Sequence, residues 1–214
     1  DASGTDTVRS SVSFDLSNSL VGGGTGIENL TYTGGAVSAT LTGNSLANSI
    51  VGGDGADTLE GKGGVDALSG GSGNDVYVVD STTDTIVDAS GTADMVNSSV
   101  DFNLSSTLVG GGNTVENLTY TGSVAGTLTG NSQNNSLIGN SQNNTLEGMG
   151  GVDTLIGGSG LDVYVVDTTT DTIVDASGTD TVRSSISFDL SNTLVGGGTG
   201  IEYLVYTGGS VSAT

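Results

Sequence analysis

The sequence predicts an all-β chain, a right-handed parallel β-roll or β-solenoid built from 87-residue tandem repeats. Three observations carry this reading. The tetrapeptide DASG begins at Asp1, Asp88 and Asp175, two equal intervals of 87 residues. Inside each long unit a nine-residue period runs over 43–78 and again over 130–165. Apolar residues fall in short alternating runs such as Val12, Phe14 and Leu16, the period of a strand with one buried face.

The long period divides the chain into a first unit over 1–87, a second over 88–174 and a truncated third over 175–214. The copies match closely: VVDSTTDTIVDASGT reappears as VVDTTTDTIVDASGT, and SFDLSNSLVGGGTGIENLTYTGG as SFDLSNTLVGGGTGIEYLVYTGG. One extra residue near Ala93 is cancelled by one missing after Gly122, so the copies return to register at Thr127. The third copy reaches Thr214, the counterpart of Thr40, and the chain starts at Asp1 without an initiator Met or a signal-peptide pattern. Both ends read as cuts through a longer array.

Composition narrows the function classes. The chain has 38 Gly, no Pro, no Cys and no His, and 24 acidic residues against three basic ones (Arg9, Lys62, Arg183), a formal net charge of -21. Carboxylates closer than a Debye length of roughly 10 Å repel one another, so compaction calls for bound cations or wide spacing. The same field disfavours nucleic acid and anionic membrane surfaces as partners. Disorder is the competing reading of an acidic, aromatic-poor chain; the absence of Pro, a hydrophobic fraction of 34% and the alternating runs oppose it. No apolar run is long enough to span a bilayer, so no membrane insertion is expected. Without His or Cys the usual Ser-His-Asp, Cys-His and zinc arrangements are absent, and no enzymatic activity is expected of this chain.

The nine-residue blocks carry the chemistry. The first reads GNSLANSIV, GGDGADTLE, GKGGVDALS, GGSGNDVYV; the second reads GNSQNNSLI, GNSQNNTLE, GMGGVDTLI, GGSGLDVYV. Position eight is always large: Ile50, Leu59, Leu68, Tyr77, Leu137, Leu146, Leu155, Tyr164. A Gly-rich hexapeptide followed by three residues with an apolar centre is a tight turn leading into a very short strand whose middle residue plugs the interior. Turns alternate between two sides of a flattened coil, so one coil takes two nonapeptides and stacked neighbours lie eighteen residues apart. Parallel strands stack about 4.8 Å apart and calcium takes oxygens at about 2.3 to 2.6 Å, so one ion fits between two stacked turns. Asp57 and Asp75 are the strongest such pair, completed by turn carbonyls within 52–56 and 70–74, among them those of Gly52, Asp54, Gly70 and Ser72. Asn48 with Asp66, Asn135 with Asp153, and Asn144 with Asp162 are weaker pairs, since Asn brings an oxygen but no charge. An oxygen-only donor set disfavours zinc and softer metals, and magnesium prefers a rigid octahedron. Stacked Asn ladders that hold the turns by hydrogen bonds without metal remain the alternative.

These nonapeptides resemble the RTX (repeats in toxin) motif GGxGxDxUx, best in GGDGADTLE, GGSGNDVYV and GGSGLDVYV. The stretches between the blocks, with VENLTYTG and VDFNLSS, resemble more loosely the long tandem repeats of large bacterial surface proteins. Asn48, Asn135 and Asn144 depart from the pattern at the acidic position, and Lys62 and Met149 at the second Gly. The resemblance implies a parallel β-roll with Ca2+ in its turns, export by type I secretion, and folding triggered by extracellular calcium at the cell surface or beyond it.

Between the blocks, Val76 to Val79, Thr85 to Val87 and Ser99 to Leu104 read as strands, and the GGG runs at Gly22, Gly110 and Gly196 as loops. In IENLTYT the sequence leaves open whether Glu28, Leu30 and Tyr32 or their neighbours face inward. Thr pairs such as Thr31/Thr33 read as solvent-facing strand Thr ahead of an ice-binding ladder. The expected role is a calcium-stiffened structural repeat of a secreted surface protein, adhesin or extracellular filament, with neighbouring repeats or copies of itself as partners. The alternative is the secretion and folding appendage of an exported enzyme whose catalytic domain lies elsewhere.

Overall fold

A computed structural model of the chain describes residues 4–18, 26–106, 108–110, 114–190, 195–196 (backbone alone) and 200–208. All regular structure in them is β, and no helix is long and apolar enough to cross a membrane. The chain forms two compact units, one over 1–100 with 106–117 and one over 101–105 with 118–214.

In the first unit, successive strands alternate between two parallel sheets, as a flattened coil with two strands per turn demands. One sheet runs Thr7–Ser10, Asn29–Tyr32, Ser49–Val51, Ala67–Ser69, Thr85–Val87, Val109–Gly110; the other runs Phe14–Asp15, Thr40–Thr42, Thr58–Glu60, Val76–Val79, Met95–Ser98. Registers keep like over like, with Ile50 against Leu68 against Ile86 and Leu41 against Leu59 against Tyr77 against Val96. Each of these side chains is buried. The second unit repeats the plan, with Leu128, Leu146, Tyr164 and Val182 in one interior column and Leu137, Leu155 and Ile173 in the other. A residue in the middle of a three-residue strand therefore meets its own counterpart above and below, and no coil closes its core alone. The β-solenoid predicted from the nine-residue period is the fold of both units.

Within each unit the coil continues beyond the block, with longer repeats. Asp75 and Asp94 occupy equivalent places nineteen residues apart where Asp162 and Asp180 are separated by eighteen, and Thr92 and Ala93 are exposed. The extra residue thus swells a surface turn and leaves the ladder intact. Glu28, Leu30 and Tyr32 share the inward side of their strand, with Leu30 and Tyr32 buried. Two expected strands are broken. Val12, Phe14 and Leu16 do not lie on one strand, and Ser99 to Leu104 resolves into a bend followed by the short strand Phe102–Asn103. The cause is local: the Ser10 hydroxyl donates to the Val12 carbonyl and accepts from its N–H, and Ser98 does the same with Val100 and Ser184 with Ile186. These clamps offer the backbone an alternative to the ladder. Gly22 to Gly24, Gly111, Gly112, Gly197 and Gly198 lie outside the described residues, while Gly110 and Gly196 end short strands.

Lys62 and Met149, which replace the second Gly of the motif, sit at φ of 62° and 65°. That left-handed region costs a non-Gly residue roughly 1 to 2 kcal/mol, partly returned through the smaller entropy its unfolded chain loses. Lys62→Gly and Met149→Gly are accordingly expected to raise stability by about 0.5 to 1 kcal/mol each, read as a shift in urea midpoint at constant slope. A lower midpoint in both variants would contradict the strain.

Candidate metal centre

Every acidic or amide side chain at position six of the nonapeptides is buried, because the Gly-rich turn folds it back beneath the backbone of its own coil. There the aspartates meet backbone N–H groups of the neighbouring coil, while the asparagines meet those of their own turn. The Asp57 N–H donates to Asp75 Oδ1 at 2.8 Å, and the Asp75 N–H to Asp94 Oδ1 at 2.7 Å. The parallel column runs from the Asn48 N–H to Asp66 Oδ1 at 2.8 Å and from the Asp66 N–H to Asp84 Oδ1 at 3.0 Å. In the second unit, Asn135 donates to Asp153 and Asp153 to Asp171, while Asn144 donates to Asp162 and Asp162 to Asp180. Glutamates take over the role between the blocks: Asp6, Asp94 and Asp180 donate their N–H groups to Glu28, Glu116 and Glu202. Where this contact forms, adjacent coils are tied by a charge-assisted bond from backbone to carboxylate, stronger than a neutral one.

One oxygen per carboxylate is spent on this ladder, and the fate of the other separates the predicted ligands. Asp57 spends both, with Oδ1 accepting from Ala39 at 2.8 Å and Oδ2 from Gly53 at 2.7 Å. In Asp66, Asp75, Asp153 and Asp162 the Oδ2 is buried and accepts no hydrogen bond. Asn48 and Asn135 turn Oδ1 to the N–H of Asn44 and Asn131, and Asn144 turns it to Asn140. Among the carbonyl donors, Gly52 and Gly70 are buried, Ser72 is half-buried and Asp54 is exposed, with its N–H on Gly35. Asp57 and Asp75 lie on adjacent coils, joined through the Asp57 N–H.

The orphaned oxygens converge elsewhere. Carboxylate oxygens of Asp75, Asp88 and Asp94 all lie within 4.8 Å of one another, and those of Asp162, Asp175 and Asp180 do the same 87 residues on. Tyr77 donates its hydroxyl to Asp88 Oδ1 at 2.8 Å, and Tyr164 donates to Asp175 Oδ1 at 2.9 Å. Like charges this close repel one another, and a cation among them would relieve the repulsion. Without one, burial pushes Asp66, Asp75, Asp94 and Asp162 up to about 6 and Asp153 up to about 7, with neighbouring carboxylates adding to the effect. The Tyr77 and Tyr164 phenols are raised by burial and by their aspartate partners, so both stay protonated donors. The donor set is oxygen alone, which suits a hard divalent cation such as calcium. Buried carboxylate oxygens with no other partner fit that cation.

Asp88, Asp94, Asp175, Asp180 and the three glutamates are not part of the nonapeptide reading. Asp88 and Asp175 alone carry a sequence signal, the DASG tetrapeptide that marks the long period and opens on them.

A family model of the RTX calcium-binding nonapeptide repeat, in four copies, matches residues 42–77 and 129–164. No curated protein and no solved structure matches the chain.

Proposed function

From the premise that both blocks are RTX calcium-binding nonapeptide repeats, we propose that this chain is a calcium-stiffened structural repeat of a secreted bacterial surface protein, adhesin or extracellular filament. Calcium held between stacked turns by Asp57 with Asp75, Asp66 with Asn48, Asp153 with Asn135 and Asp162 with Asn144, and by carbonyls of Gly52, Asp54, Gly70 and Ser72, would neutralise a column of carboxylates that otherwise repel. When bound, the ion supplies positive charge and oxygen coordination. The chain supplies the spacing, the ladder that orients each carboxylate, and the apolar column that excludes water. The observation that carries the reading is the ladder itself: in both units the same contact from a backbone N–H to a carboxylate recurs between stacked coils, inside and outside the matched repeats, so extra coils lengthen the array without new chemistry.

End-to-end stacking onto neighbouring repeats or onto a copy of the chain would follow the same logic, since a parallel coil buries its interior only under another coil. Negative-stain electron microscopy and sedimentation velocity in millimolar calcium are expected to show elongated particles that lengthen with the number of 87-residue units. Compact particles whose length does not grow with added units would overturn the rod.

A further inference from the structure

The DASG tetrapeptide has no place in the nonapeptide motif, yet it recurs in front of a second aspartate, as Asp88 to Asp94 and Asp175 to Asp180. We propose that this segment completes a second kind of divalent-cation site, formed by Asp75, Asp88 and Asp94 in one unit and by Asp162, Asp175 and Asp180 in the other. This rests on the calcium reading above and extends it beyond the matched repeats, since Asp88, Asp94, Asp175 and Asp180 all lie outside them.

Four observations converge. Asp75, Asp88, Asp94, Asp162 and Asp180 are at most 1% exposed, and the Oδ2 atom of each, with that of Asp175, is buried without a hydrogen-bond partner. In each unit the three carboxylates bring an oxygen within 4.8 Å of the other two, close enough to share one ion of calcium's size. The remaining oxygens are already oriented: Asp75 Oδ1 holds the Asp57 N–H, Asp94 Oδ1 the Asp75 N–H, and Asp88 Oδ1 the Tyr77 hydroxyl. Glycines keep the space open. A Cβ on Gly70 would strike Asp75 Oδ2 and the Tyr77 hydroxyl, and one on Gly91 would strike Asp94 Oδ2. Gly157 stands in the same relation to Asp162 and Tyr164, and Gly178 to Asp180. Gly91 and Gly178 are the glycines of the DASG tetrapeptide, so the motif reads as ligand, two-residue spacer and clearance for the next ligand.

The phenols make the site addressable. Tyr77 and Tyr164 each bond a ligand carboxylate, so terbium bound in place of calcium is expected to emit on tyrosine excitation. The test uses the full chain, the quadruple variant Asp88→Asn, Asp94→Asn, Asp175→Asn, Asp180→Asn, and calcium chloride or terbium chloride alone as probe. Asn keeps the acceptor oxygens of the ladder and removes two charges per site. By titration calorimetry the variant is expected to lose about one calcium per triad and keep the rest. Sensitised terbium emission should fall at least tenfold. In chelator its β signal in circular dichroism should equal or exceed that of the parent, since repulsion has been removed; a smaller one would mean the aspartates serve the fold alone and would overturn the site. Unchanged calcium stoichiometry with unchanged terbium emission would also overturn it and leave the nonapeptide sites standing. A variant that binds no calcium at all while the parent binds about one per triad would uphold the triads and refute calcium in the turns.

Discussion

In excess chelator at neutral pH the chain is expected to lose most of its β signal in circular dichroism and to regain it on calcium titration. A site filled at a hundred times its dissociation constant adds about 2.7 kcal/mol, and a whole domain is stable by roughly 5 to 15 kcal/mol, so a few sites decide whether the chain folds. The pH dependence has opposite signs with and without the ion. Asp66, Asp75, Asp94 and Asp162 are raised from 3.8 to about 6 and Asp153 to about 7, so each holds its proton more tightly folded than unfolded. The stability they contribute without calcium is complete below about 4 and is lost as pH rises through about 6 to 7. Calcium-free chain should therefore melt higher at pH 5 than at pH 7.5. With calcium present the order reverses, because below about 6 protons compete for the same oxygens. A β signal that is complete in chelator at pH 7.5, with no heat on adding calcium, would sink the metal reading and favour ladders held by hydrogen bonds alone.

Gly71→Ala is expected to destabilise the calcium-loaded chain by about 3 kcal/mol or more, while Gly63→Ala is expected to stay within about 0.5 to 1 kcal/mol of the parent. Gly71 sits at φ of 105°, and a Cβ there would overlap the Gly53 carbonyl of the coil beneath. That carbonyl cannot move aside, because it accepts the Ser72 N–H at 3.0 Å and belongs to a stack with fixed spacing. Gly63 occupies another Gly-rich turn, yet a Cβ there meets nothing within 4 Å. Urea melts of both variants in saturating calcium measure the difference. Equal midpoints would show that the coils do not press on one another at the turns.

The fold was legible because its determinants are local and periodic. Ile50, Leu59, Leu68 and Tyr77 recur every nine residues, and a chain that turns at each Gly-rich hexapeptide has one way to bury them all, against one another. The strand breaks at Ser10 and Ser98 were not legible, since the clamp depends on a rotamer that satisfies two backbone groups at once. Glu28, Glu116 and Glu202 look like ordinary strand residues until the coil places them over the N–H groups of Asp6, Asp94 and Asp180.

The sequence by itself determined the eighteen-residue coil, the interior column and the oxygen-only chemistry, because each follows from spacing and residue type. Only the tertiary structure decided which oxygens are free. Asp57 and Asp75 occupy the same position in matching nonapeptides, yet Ala39 and Gly53 consume both oxygens of Asp57, while one oxygen of Asp75 turns toward Asp88 and Asp94. The physical reason is that a buried carboxylate is claimed by whatever donors the neighbouring coil presents. That depends on coils whose ladder contacts span eighteen, nineteen or twenty-two residues, and no nine-residue pattern specifies those lengths.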